Sequence, residues 1–133
     1  MLILTQANLS ITKEINTQMK LMITLFALSF ASISFAGAPA STPALLEKGK
    51  AAYTTNCLSC HGEKGDGKGP AGAYMKPAPR NFATDKFKAG DKVDAVFNTI
   101  TKGLPNTAMV AFGYLSEEDR WGLSYYVLSF RKK

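Results

Sequence analysis

Ligand groups are scarce in this chain. Its 133 residues hold two cysteines and one histidine, three nitrogen or sulfur ligands in all. A structural zinc site takes four, so that role is excluded. No run of alternating polar and apolar residues marks a strand. That absence removes the βαβ setting expected around a thioredoxin-like C-x-x-C redox pair. No internal repeat or second domain is visible. Acidic residues are the minority charge, ten against sixteen Lys and Arg.

What the chain does have is concentrated. Both cysteines and the histidine fall in Cys57-Leu58-Ser59-Cys60-His61, a C-x-x-C-H run that reads as a c-type haem attachment site. Two thiols three residues apart lie on one helical turn and aim at one edge of a flat macrocycle. There they add across its vinyl groups, and the next residue sets its imidazole under the iron as proximal ligand. One haem c, covalently bound, is expected per chain.

Met19-Lys20 precedes Leu21–Phe35, an uncharged, mostly apolar stretch, and small residues follow around Ser34-Phe35-Ala36. A basic n-region, an h-region and a cleavage site make residues 19–36 a secretory signal peptide. Cleavage falls after Ala36 or after Ala38. The apolar run is shorter than the roughly 20 residues a spanning helix wants. Residues 1–18 are polar and look wrong for a signal, so translation is expected to begin at Met19. Export places the protein in a bacterial periplasm, where covalent haem attachment takes place, and argues against nucleic acid as a partner. The remaining chain, residues 37–133, carries fourteen Lys and Arg against nine Asp and Glu. Its working domain, residues 41–133, is short enough that the haem itself should centre the core.

Along this part, Ala38–Pro43 reads as a flexible lead-in. Thr42 is the expected N-cap of a first helix with Pro43 at its first position. Leu45, Leu46, Gly49, Ala52 and Tyr53 give that helix a buried stripe, and it ends near Asn56. Gly62–Gly72 holds five glycines in eleven residues, which forbids regular structure. It lacks the GK[ST] ending of a phosphate loop and is expected to lie over one edge of the haem. Tyr74–Ala83 is irregular because of Pro77 and Pro79. Asp91 is the expected cap of a second helix through Val93, Val96, Phe97 and Ile100, ending at Gly103. Ser116-Glu117-Glu118-Asp119 opens a final helix with Trp121, Leu123, Tyr126, Val127 and Phe130. The fold is all-α.

One histidine excludes bis-histidine ligation from within the chain. The other iron ligand is a methionine, a lysine, water or nothing. After residue 37 there are two methionines, Met75 and Met109. A ligand on the opposite face comes from chain that has wrapped around the haem, which favours Met109 over Met75.

At this point the chain resembles a class I monohaem cytochrome c along its whole mature part. The likeness rests on Cys57-Leu58-Ser59-Cys60-His61-Gly62, the Gly65/Gly67/Gly69-Pro70 loop, Gly103-Leu104-Pro105-Asn106-Thr107-Ala108-Met109, and the Leu115–Tyr126 segment. It implies a small cytochrome c fold of three to five helices wrapped around one covalent haem, with cofactor-binding residues Cys57, Cys60, His61 and Met109, and with His61 and Met109 on the iron. It also implies crossing first and last helices, with Gly49 and Tyr53 packed on Leu123 and Tyr126, and the Pro70 carbonyl accepting the His61 Nδ1–H. Val110 stands where many relatives carry a proline after the methionine, which implies a less rigid methionine loop.

A closed, six-coordinate iron has no room for substrate. The expected function is therefore a soluble electron carrier, not an enzyme, moving one electron between respiratory redox partners as a monomer. The alternative is the haem c subunit of a periplasmic dehydrogenase or oxidase complex. Phe82, Phe87, Phe97, Leu104, Phe112 and Trp121 are expected to bury the haem, about half of them touching it. Arg80 and Asn81 are candidates to bond a haem propionate, or Arg80 is a solvated loop residue. Lys64, Lys68, Lys76, Lys86, Lys88 and Lys102 would form a rim for partners with acidic docking faces.

Overall fold

The computed structural model describes residues 13–17, 19–20 and 37–131. The chain divides into two compact units, Met1–Ala36 and Gly37–Lys133. In the first, residues 13–17 and 19–20 are helical; the rest of the expected extension and signal peptide lies outside the described residues. No described helix is long and apolar enough to cross a membrane.

The second unit is all-α among its described residues. Its helices are α1 (Pro43–Asn56), α2 (Leu58–His61), α3 (Val93–Lys102) and α4 (Glu117–Ser129), with a 3-10 turn at Gly72–Tyr74. Helix α1 begins as its sequence dictates. Pro43 sits in the first turn, and the Thr42 hydroxyl accepts from the Leu45 amide at 3.2 Å, satisfying a donor that has no partner within the helix. Helix α4 starts the same way, its Ser116 hydroxyl accepting from the Asp119 amide at 3.0 Å, with three acids in the first turn facing the positive end of the helix dipole. Helix α3 stops at Gly103, whose φ of 71° is open to glycine and strained for a side chain.

Two expectations are corrected. Asp91 does not cap α3. The N-cap position is Lys92, with no side-chain bond, and the Asp91 carboxylate is instead taken by Arg131 at 2.9 Å. The lead-in is tied down at Pro39, whose carbonyl accepts from the Tyr125 hydroxyl at 2.5 Å.

Helices α1 and α4 cross at glycine. A Cβ on Gly49 would overlap the Gly122 carbonyl, and one on Gly122 would meet the Leu45 carbonyl at 2.6 Å. The two backbones therefore touch, closer than any larger pair allows. On one side of the crossing Tyr53 packs on Tyr126 at 5.2 Å between ring centroids. Gly49 thus meets Gly122 and the Leu123 backbone, while Tyr53 meets Tyr126 as expected. Tyr53, Phe82, Val96, Ile100, Leu123 and Val127 form the buried core. Five of these, all but Tyr53, also face the cavity described next, so core and cavity share walls.

Candidate haem site

Helix α2 is a single turn, closed by the Cys57 carbonyl accepting from the amides of Cys60 at 3.2 Å and His61 at 2.9 Å. That turn brings both thiols and the imidazole to one cavity of about 400 Å³. Its backbone is held from two sides. The buried Tyr53 hydroxyl donates to the Gly62 carbonyl at 2.7 Å. The glycine loop covers the other flank, with the Gly69 amide donating to Cys60 O at 3.2 Å and the Ala71 amide to Ser59 O at 2.8 Å. A Cβ on Gly69 or Gly72 would overlap the α2 carbonyls. No residue of Gly62–Gly72 lines the cavity, so the loop presses on the attachment helix and does not lie over the cavity edge. The reason is that five glycines let backbone approach backbone.

Both sulfurs are free thiols, half-buried. Burial, with the neighbouring Cys60 thiol adding, pushes the Cys57 thiol up to about 12. It is protonated near neutral pH and inert as a nucleophilic thiolate. Burial also lowers the His61 pKa, opposed by a hydrogen bond to the Arg80 carbonyl. That bond, 3.4 Å from Nδ1, fixes the tautomer: a carbonyl only accepts, so Nδ1 carries the proton and neutral His61 presents a lone pair at Nε2. The acceptor is Arg80, not Pro70. Phe82 N–H bonds to Gly65 O at 2.7 Å, which pins the Pro79–Phe82 stretch beside the attachment helix and brings the Arg80 carbonyl to the ring. Phe82 itself stacks on His61 at 4.4 Å.

Met109 lines the same cavity, and so does Met75. They arrive by different routes. Met75 follows the 3-10 turn and stands five residues before Arg80, whose carbonyl bonds His61. Met109 belongs to the loop that leaves α3 at Gly103. That loop is internally bonded: Leu104 N–H to Met109 O at 2.9 Å, Thr107 Oγ1 to Leu104 O at 2.8 Å, and Met109 N–H to Thr107 Oγ1 at 3.1 Å. A side chain on Gly103 would meet Met109 O at 2.7 Å. These bonds hold the Met109 backbone without the proline that Val110 replaces.

Of the six residues expected to bury the haem, Phe82, Phe87, Leu104 and Phe112 line the cavity. Phe97 and Trp121 instead stack on one another at 3.9 Å. Arg80 lines it too, with its guanidinium donating to the Lys86 carbonyl. Asn81 does not line it; its side-chain oxygen accepts from the Ala83 amide at 2.9 Å, as a turn-former does. Lys88 and Thr99 also face the cavity. Thr99 carries no sequence signal of such a place, and Lys88 belongs to the cavity wall as well as to the expected rim.

The residues fit a covalently held haem: a mostly apolar cavity, two thiols and an unprotonated imidazole nitrogen on one wall, and cationic Arg80 and Lys88 where carboxylates would need partners. When bound, haem supplies two vinyl groups for the thiols and an iron that changes between ferric and ferrous states. Such a chain is a c-type haem protein. The cytochrome c profile matches residues 46–131, and the chain belongs to the cytochrome c family, with haem c covalently bound. No curated protein matches it. Among solved structures it is similar to a chain of the reducing HAO-like protein complex of Kuenenia stuttgartiensis, at 32% identity and a TM-score of 0.67. The match covers 76% of this chain and 50% of that one, so the likeness spans half the length of the larger chain.

Proposed function

We propose that this cytochrome c is a diffusible one-electron carrier, exported to the periplasm and monomeric, with its iron held between His61 and Met109 and no catalysis of its own. The observation that carries the reading is the convergence of Cys57, Cys60, His61 and Met109 on one cavity. A thioether opposite an imidazole favours the ferrous form relative to two imidazoles, and an apolar wall disfavours the extra charge of the ferric form. Both push the potential up. The internally bonded Gly103–Met109 loop supports a ligand that stays in place in both oxidation states, so little rearrangement accompanies electron transfer.

The haem-loaded protein tests this. Ferric wild type should show the weak near-infrared sulfur-to-iron band, and Met109→Ala should lose it and bind carbon monoxide when reduced. A Met109→Ala protein that keeps the band would assign the sulfur to Met75 and sink the Met109 ligation.

The second reading is the haem subunit of a larger periplasmic enzyme. It is favoured by the neighbour in Kuenenia stuttgartiensis, a complex whose matched chain is twice as long as the shared part. Gel filtration of native extracts separates the two. Elution near the mass of one mature chain supports the carrier, and co-elution with a larger assembly supports the subunit.

A further inference from the structure

The segment from Ala83 to Asp91 has neither helix nor strand, yet it supplies Phe87 and Lys88 to the cavity wall. An irregular segment with few contacts of its own opens readily unless something outside it holds it. Arg80 holds its middle at the Lys86 carbonyl, and Arg131, just beyond α4, holds its two ends. One terminal nitrogen donates to the Asp85 carbonyl at 2.6 Å and the other to the Asp91 carboxylate at 2.9 Å. Between these anchors the guanidinium lies 5.1 Å from the centroid of the Phe87 ring. Phe87 stacks in turn on Phe82, 6.0 Å away and within 8° of parallel, and Phe82 stacks on His61. One side chain therefore grips both ends of the loop and covers the ring between them. The planar fork of arginine meets two acceptors and a ring face together; a lysine ammonium does not.

We propose that Arg131 is a positioning residue for electron transfer: it clasps the Asp85–Asp91 loop shut against the haem cavity, keeping water out and the reduction potential up. The inference rests on the haem electron-transfer reading above. Opening the loop admits water, which stabilises the more highly charged ferric state and lowers the potential.

The decisive variant is Asp91→Ala in the haem-loaded protein, which removes both the charge and the acceptor, because there the two physical effects have opposite signs. Loss of a negative charge by itself disfavours the ferric state and raises the potential. Loss of the clasp lowers it. Arg131→Lys keeps the charge and loses the fork, so it isolates the same effect. The expected result is a lower midpoint potential in both variants and at least tenfold faster exchange of the Asp85 and Gly90 amides, with the near-infrared band retained. A higher potential in Asp91→Ala, or an Arg131→Lys protein matching wild type in potential and exchange, overturns the clasp. Absence of the near-infrared band in wild type would instead overturn the ligation reading on which it rests.

Discussion

Tyr53 shows how one side chain ties the haem motif to the helix that delivers it. It is 1% exposed, and its hydroxyl meets the carbonyl of the residue that ends α2. Tyr53→Phe keeps the ring and removes one of that carbonyl's two donors, the Gly65 amide remaining at 3.1 Å, which should cost about 0.5–1.5 kcal/mol. Burial also raises the Tyr53 pKa above the ordinary 10.0. The folded state therefore keeps a proton that the unfolded state releases. The stabilisation is full below pH 10 and drains away as pH climbs through the folded value, at up to about 1.4 kcal/mol per pH unit. Urea titrations from pH 9 to pH 11.5 should show a falling limb in wild type that is shallower in Tyr53→Phe; parallel limbs would refute the assignment. Residue types told much of this site in advance, because ligand chemistry is carried by side chains: Cys57, Cys60, His61 and Met109 share one cavity. The acceptor for His61 was not legible. It is a backbone carbonyl, which every residue has, and only the fold selects Arg80 over Pro70.

At the scale of elements, helix ends were legible and helix contacts were not. Thr42, Pro43, Ser116 and Gly103 announce boundaries through local chemistry, each within a few residues of the backbone group it serves. Asp91 carries the same kind of signal and misled, because Arg131, forty residues away, takes its carboxylate. The crossing of α1 and α4 was expected, but Gly122 was not recognised as Gly49's counterpart, since a glycine within a helix looks like a weak point until its neighbour is known. Gly49→Ala raises helix propensity by up to about 1 kcal/mol and yet should destabilise. Its Cβ would overlap the Gly122 carbonyl, and backbone has no rotamer with which to yield. Forced separation of two packed helices costs on the order of 3 kcal/mol, a fall in Tm of about 12 °C or more for a domain this size. A Tm equal to or above wild type would show that the crossing is looser than the contact indicates.

For the whole molecule, charge decides what the cavity meets. The two ion pairs among the described residues are Lys48 with Glu118 and Arg131 with Asp91. Lys64, Lys68, Lys76, Lys86, Lys88 and Lys102 are in neither and are exposed. Lys88 reaches the cavity wall, and Lys76 stands between Met75 and Pro77, which line it. Positive charge therefore adjoins an opening whose exposed lining includes Pro77, Ala78, Ala108 and Val110, small and apolar enough for close approach. An acidic partner would be steered there at long range and lose that steering as salt shortens the Debye length from about 30 Å at 0.01 M to about 8 Å at 0.15 M. Stopped-flow electron exchange with an acidic redox protein should slow about tenfold over that range. Lys76→Glu with Lys88→Glu should slow it by a similar factor at low salt and flatten the dependence. Helix α1 gives the control, because Lys50 is exposed and does not line the cavity, so Lys50→Glu should act more weakly than either change at the opening. Equal slowing by Lys50→Glu would mean that net charge, not its placement, governs the encounter, and a rate indifferent to salt would remove the lysines from docking altogether.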